Sequence, residues 1–230
     1  MVVLLVVLMY LAFILTDVLV ERRHRRQRDL ETQARHARML REEPRFVAGY
    51  RLPEGFQYHP GHTWLHWVSP DEAYVGVDDF GRRLIPSDAT IVSPPRGSWV
   101  RQGMHAAKIR RDGHTVDLLS PVSGEVVGVN PQTRKDPSVV RRDPYGRGWL
   151  YKIKAADLRQ QIANLLSGSL AHRWMEDTHD RFQRELMAAT GRVIQDGGAP
   201  VEDLASRLDP EQWEHLAEEF LELRGQDLAN

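Results

Sequence analysis

Three kinds of side chain in this 230-residue sequence have types and spacing suited to chemistry. The first is the HxxHxxxH run of His59, His62 and His66, and imidazole is the commonest metal ligand. Pro60-Gly61 breaks any helix there, so the rings are not expected on one helical face, and no metal site is predicted. The second is Arg110-Arg111 beside Asp112-Gly113, whose planar forks suit a carboxylate, a phosphate or an acidic protein surface. The third is lysine, the amine that accepts acyl groups: of 31 basic residues only Lys108, Lys135, Lys152 and Lys154 are lysines. Asp78-Asp79, Asp136 and Asp143 read as turn or capping carboxylates, not as a facing acid and base. There is no Gly-rich phosphate loop, no GxSxG elbow and no HExxH. With no cysteine, disulfides and thiolate nucleophiles or ligands are excluded. The expectation is a protein that is not an enzyme and holds no cofactor or metal.

The elements that position these residues fall into four zones. Met1 to Val20 is largely apolar and carries no charge except Asp17, and about 20 residues at ~1.5 Å rise span a bilayer core, so residues 1–20 are expected to be a transmembrane helix. A cleaved leader is disfavoured because no basic region precedes the run, no small-x-small site follows it, and ERRHRRQR begins at Glu21. Arg22, Arg23, Arg25, Arg26 and Arg28 place the N-terminus outside and the bulk of the chain on the cytoplasmic side of the inner membrane. Residues 21–43 lack Gly and Pro, which predicts a helix that stops before Pro44, and residues 21–45 hold nine arginines against five acidic residues, which makes this a basic helical stalk. Such a collar suits anionic lipid headgroups or an acidic partner, or else only sets topology. An overall net charge of −1 offers no field for nucleic acid.

Residues 46–166 change character. Short β-branched and aromatic runs at 63–68, 73–77, 90–93, 126–129 and 149–154 are separated by Pro, Gly and Asp turns, which predicts a small sandwich or barrel. KIRRDGHTVDLLSPVSGEV, from Lys108 to Val126, reads as a hairpin turning at Asp112-Gly113. From residue 167 to 230 a helical tail is expected. Leu158, Ile162, Leu165, Leu166, Leu170 and Trp174 make one apolar face, extended by Phe182, Leu186, Val193 and Ile194, before a break at Gly197-Gly198-Ala199-Pro200. Asp209 as N-cap and Pro210 at the first position then open a last helix carrying Trp213, Leu216, Phe220 and Leu221. These stripes pack on the β domain or dock another protein. Of six tryptophans, Trp99 beside Gly97-Ser98 is the least explained by a core, and Trp99 and Trp213 are the aromatic partner-binding candidates.

The β zone resembles the H protein of the glycine cleavage system, through His62-Thr63-Trp64, Val75 to Phe80, LLSPVSGEVVGVN (118–130) and DPYGRGWLYKIK (143–154). The resemblance runs from about Tyr58 to Leu166 and implies a mainly β, lipoyl/biotinyl-type barrel-sandwich hybrid. Here it is joined to an N-terminal transmembrane helix and a C-terminal helical extension. In that family lipoate is amide-linked to a lysine on the hairpin before the Ser-Pro-Val-Ser-Gly segment. Aligned without a gap, that position falls on Gly113, flanked by Asp112 and His114, none of which has a primary amine. Lys108 is five residues too early.

The expected function is therefore a membrane-anchored, non-enzymatic accessory subunit that uses a degenerate lipoyl-type domain as a cytoplasmic binding module. Its partners would be membrane lipid and the subunits of an integral-membrane complex, such as a photosynthetic or respiratory assembly. Arg110, Arg111, Trp99, Trp213 and the arginines from 22 to 28 are the docking candidates. The alternatives are a membrane-tethered carrier tied to glycine cleavage, modified at Lys108, and an anion sensor built on Arg110-Arg111.

Overall fold

The computed structural model describes residues 46–190 and 203–223, together with Met9, Tyr10, Phe13 and Thr16, which have helical backbone. Two compact units are present, Met1–Glu42 and Glu43–Asn230. Among the described residues no helix is long and apolar enough to cross a membrane. Apart from those four residues, the expected membrane span, the stalk and Arg22, Arg23, Arg25, Arg26 and Arg28 lie outside the described residues, as do Val193, Ile194 and the Gly-Gly-Ala-Pro break.

In chain order the strands of the second unit are β1 (Phe46–Val47), β2 (Tyr50–Arg51), β3 (Gln57–Tyr58), β4 (Thr63–Trp67), β5 (Glu72–Val77), β6 (Thr90–Val92), β7 (Trp99–Val100), β8 (His105–Arg111), β9 (His114–Leu119), β10 (Gly124–Val129) and β11 (Tyr151–Lys154). They form a β1-β2 ribbon, a six-stranded antiparallel sheet in the order β3-β4-β5-β11-β10-β7 and a three-stranded sheet in the order β6-β8-β9. Side chains on the three-stranded sheet alternate: Ala107, Ile109, Val116 and Leu118 are buried, while Lys108, Arg110 and Asp117 point the other way. Val75, Val126, Leu150 and Ile153 are fully buried as well. Thr63 Oγ1 donates to Leu119 O (2.8 Å) and Tyr151 OH to Ser120 Oγ (3.1 Å), tying the larger sheet to the end of β9.

Trp64 shows how register and composition agree. It pairs across the sheet with Gly76, is fully buried, and donates from Nε1 to Val77 O at 2.8 Å. A Cβ on Gly76 would lie 2.4 Å from the indole, so only glycine lets the ring cross the neighbouring strand. The run expected as a strand from 149 forms one only from Tyr151. Trp149 O is taken instead by Asn130 Nδ2 at 2.7 Å, so that part of the chain serves a loop.

The helices are α1 (Pro131–Lys135), α2 (Ser138–Arg142), α3 (Leu158–Gln161), α4 (Gly168–Thr190) and α5 (Pro210–Leu221), with 3-10 turns at Gly81–Leu84, Ile162–Asn164 and Leu204–Arg207. The single apolar face expected from Leu158 to Trp174 does not exist. After the 3-10 turn the chain extends so that Leu166 exchanges two backbone hydrogen bonds with Tyr58, each 2.8 Å, and helix resumes only at Gly168. Leu170 is half exposed, and the buried stripe of α4 is Ala171, Met175, Thr178, Phe182 and Leu186. The last helix forms as expected: Asp209 accepts from Gln212 N at 2.9 Å, Pro210 occupies the first turn, and Trp213, Leu216, Ala217, Phe220 and Leu221 are buried. Phe220 packs on Phe80 and Phe182, with ring centroids 5.3 and 5.5 Å away. The described part of the tail therefore belongs to the β domain's own core.

Candidate functional site

The site to which the sequence points is the β8–β9 hairpin. Asp112 (φ +48°) and Gly113 (φ +88°) both adopt left-handed backbone, the geometry of a tight two-residue turn whose twist matches the strands. A Cβ added to Gly113 would meet no atom within 4 Å, so the apex faces open space. No amine stands at the apex. Lys108 lies in the middle of β8, opposite Asp117, with Nζ 2.9 Å from Asp117 Oδ1, and His105 Nδ1 is 3.3 Å from the same carboxylate.

The flanks of the hairpin are clamped by the tail. Arg111 Nη1 donates to Ala205 O (3.0 Å) and Leu208 O (3.2 Å), capping the 3-10 turn that precedes α5, while its Nε lies 3.3 Å from Asp88. His114 Nδ1 is 2.8 Å from Glu214. On the outer edge of β9, Asp117 N donates to Glu222 Oε1 at 2.6 Å. An otherwise open strand edge is thus covered and its backbone donor satisfied.

This arrangement corrects two expected docking residues. The Arg111 side chain is 9 % exposed and spent on carbonyls, so Arg110-Arg111 is not a paired receptor for an anion. Trp213 is fully buried and donates from Nε1 to Leu84 O (2.7 Å), which makes it a core residue and not an anchor for a partner. Arg110 is exposed on β8, and Trp99 is 66 % exposed on β7, one of the two edge strands of the larger sheet.

The three histidines are buried and separately engaged. His59 Nδ1 accepts from Gly61 N (3.0 Å), His62 Nδ1 pairs with Asp78 Oδ2 (2.9 Å), and His66 Nδ1 bonds Gly55 O (3.2 Å). His62 is stacked between Phe80 and Trp174. Burial, reinforced by His62, lowers the His59 pKa from 6.5 to about 4. Among the described residues no group of three ligating side chains is arranged to hold a metal. The carboxylates cap turns: Asp78 accepts from Gly81 N, Asp136 from Ser138 N, and Asp143 from Gly146 N and Arg147 N.

One feature was not anticipated from the sequence. A cleft of about 610 Å³ opens beside the β1-β2 ribbon, and Arg51, Arg82, Arg83, Arg141 and Arg142 line it together with Asp79 and Asp203. The Arg-Arg pairs at 82–83 and 141–142 were legible as a signal of the same type as 110–111. Their convergence was not, because they lie on separate elements.

The family model described as Glycine cleavage H-protein matches residues 56–178. The glycine cleavage system H protein of Marinobacter nauticus is 33% identical over 106 residues, which is 46% of this chain and 82% of that protein. The one from Cronobacter sakazakii is 32% identical over 126 residues, 55% of this chain and 97% of that protein. A solved glycine cleavage system H protein from Mycobacterium marinum superposes with a TM-score of 0.48 and 25% identity, covering 55% of this chain and 98% of that one.

Proposed function

This chain belongs to the glycine cleavage H-protein family, and from that premise we propose that it is a non-enzymatic binding module which has given up the carrier role and works as a membrane-anchored accessory subunit. Family members are carriers of a lipoyl group and not themselves catalysts, which supports the non-enzymatic reading. The observation that carries the departure is the hairpin. Its apex holds Asp112-Gly113 in place of an acylatable amine, and its flanks are bonded to the tail through Arg111, His114 and Asp117. A swinging arm needs a free amine on a projecting tip, whereas a docking module needs a rigid surface, and tying the hairpin to α5 supplies rigidity. The apolar run 1–20, the arginines from 22 to 28, Arg110 and exposed Trp99 support attachment at the cytoplasmic face of the inner membrane, to lipid and to subunits of a larger complex. A photosynthetic or respiratory assembly fits that placement.

Family membership favours a second reading, a tethered carrier linked to glycine cleavage and modified at Lys108. Against it stands the pairing of Lys108 with Asp117 in mid-strand. One experiment separates the two: purify the tagged full chain from its own membranes in mild detergent, size the product and weigh everything retained. A stoichiometric membrane complex with an unmodified chain is the expected result. A solitary chain carrying a lipoyl increment on Lys108 would overturn the scaffold reading.

A further inference from the structure

We propose that the arginine-lined cleft is a binding site for a phosphate dianion carried on an organic group. The argument rests on how its five arginines are employed. Arg82 and Arg83 build the wall: both reach the Asp79 carboxylate, Arg82 Nη1 donates to Arg141 O (3.1 Å) and Arg83 Nη2 to Gly49 O (3.2 Å). The other three are available to a ligand.

Arg51 has its guanidinium 5.2 Å above the Tyr145 ring and forms no ion pair among the described residues. Its backbone is immobilised, with N–H donating to Asp79 Oδ2 (3.0 Å) and C=O accepting from Tyr145 OH (2.7 Å), so the side chain springs from a fixed point. Arg141 pairs with Asp203 (2.9 Å) and Arg142 with Asp136 (2.7 Å). Both carboxylates are about half exposed, at 47 % and 49 %. Exposed pairs of this kind contribute little and exchange readily, so an incoming dianion can take these forks without unfolding anything.

The charge and shape of the cleft define the ligand. Three guanidinium forks, those of Arg51, Arg141 and Arg142, can turn to one ligand, which the three oxygens of a phosphate dianion can engage together and the two oxygens of a carboxylate cannot. The volume lies within the roughly 300–1,000 Å³ typical of small-ligand sites and exceeds what a bare ion fills. Phe46, 63 % exposed, with Ile85 and Pro144, gives the cleft an apolar side against which an organic substituent would rest. The site is separate from the hairpin and does not depend on whether the hairpin carries anything. Two sources share this chemistry: a soluble phosphate monoester and the monoester headgroup of phosphatidic acid.

The test uses the full chain in a non-ionic detergent and a phosphate-free buffer, titrated calorimetrically with phenyl phosphate. Saturable binding of one equivalent is expected, weakened about tenfold or more in an Arg141→Gln, Arg142→Gln double variant and unchanged in Arg159→Gln, an exposed arginine on α3 that does not line the cleft. Circular dichroism checks the fold. If the double variant melts, Arg142→Gln alone is read, because that side chain is 61 % exposed and its loss leaves the core intact. Absence of saturable binding, equal binding by the cleft variant that folds, or benzoate binding as tightly as phenyl phosphate would overturn the assignment. Dihexanoyl phosphatidic acid binding more tightly than phenyl phosphate assigns the site to a lipid headgroup, and the reverse order assigns it to a soluble ester.

Discussion

Gly76 is a residue whose side chain is absent because another needs the space. Trp64 lies across it, and Gly76→Ala must push the indole or bend β5, so it is expected to destabilise the domain by about 1–3 kcal/mol, read as a lowered urea midpoint with an unchanged slope. The small residue in Val75-Gly76-Val77 was visible in the sequence, but its reason was not, because Trp64 is brought opposite it only by strand pairing. The histidines and aspartates illustrate the same limit from the other side. The sequence assigns turn and capping roles to Asp78-Asp79, Asp136 and Asp143; for Asp78, Asp136 and Asp143 those roles are local, set by a carboxylate and the amide N–H groups a few residues on, whereas the Asp79 carboxylate pairs with Arg82 and Arg83 and accepts from the distant Arg51 N–H. The sequence cannot show that Arg111 is spent, because its partners, Ala205 O and Leu208 O, lie more than 90 residues away.

At the scale of elements, α5 is where local and tertiary signals agree. Its N-cap, its first-turn proline and the spacing of its apolar residues all specify a helix with one buried face, and the structure buries that face on β9 and the Gly81–Leu84 turn. Trp213→Ala removes a fully buried indole and the hydrogen bond to Leu84 O, so a loss of about 3–5 kcal/mol is expected. Denaturation of the full chain followed by fluorescence checks it. A loss below about 1 kcal/mol would mean that the tail is not part of the domain's cooperative unit. The break between α3 and α4 went the other way. Leu165 and Leu166 have helical periodicity with their neighbours, yet Leu166 leaves the helix to close the edge of β3, since pairing with Tyr58 satisfies two backbone groups on each side. Periodicity cannot report that competition, because it contains no information about which edge needs a partner.

Across the whole molecule, the buried His59 makes stability depend on pH. Its pKa is 6.5 when free and about 4 in the fold, so between those values the unfolded chain binds a proton that the folded chain refuses. This contribution is intact above about pH 6.5 and lost as the pH falls toward 4, by roughly 3 kcal/mol at full extent. Urea midpoints at about pH 7.5 and pH 4.5 should therefore converge more closely in His59→Asn, which keeps an acceptor for Gly61 N–H, than in the native chain. An identical acid dependence in both proteins would remove His59 from the account.

The sequence by itself determined the class of the β domain, the Asp112-Gly113 turn, the N-cap of α5 and the lack of a lysine at the hairpin apex. Each is written in neighbouring residues, through turn chemistry, alternation or a motif long enough to be specific. Tertiary structure alone decided what the tail covers, which arginine is spent and which arginines converge. Those outcomes follow from the pairing of β3 with Leu166, from the packing of α5 on β9, and from the assembly of β2, the Gly81–Leu84 turn and α2 around one cleft. All three are contacts between residues far apart in the chain, where burial and the need to satisfy every backbone group outweigh local preference.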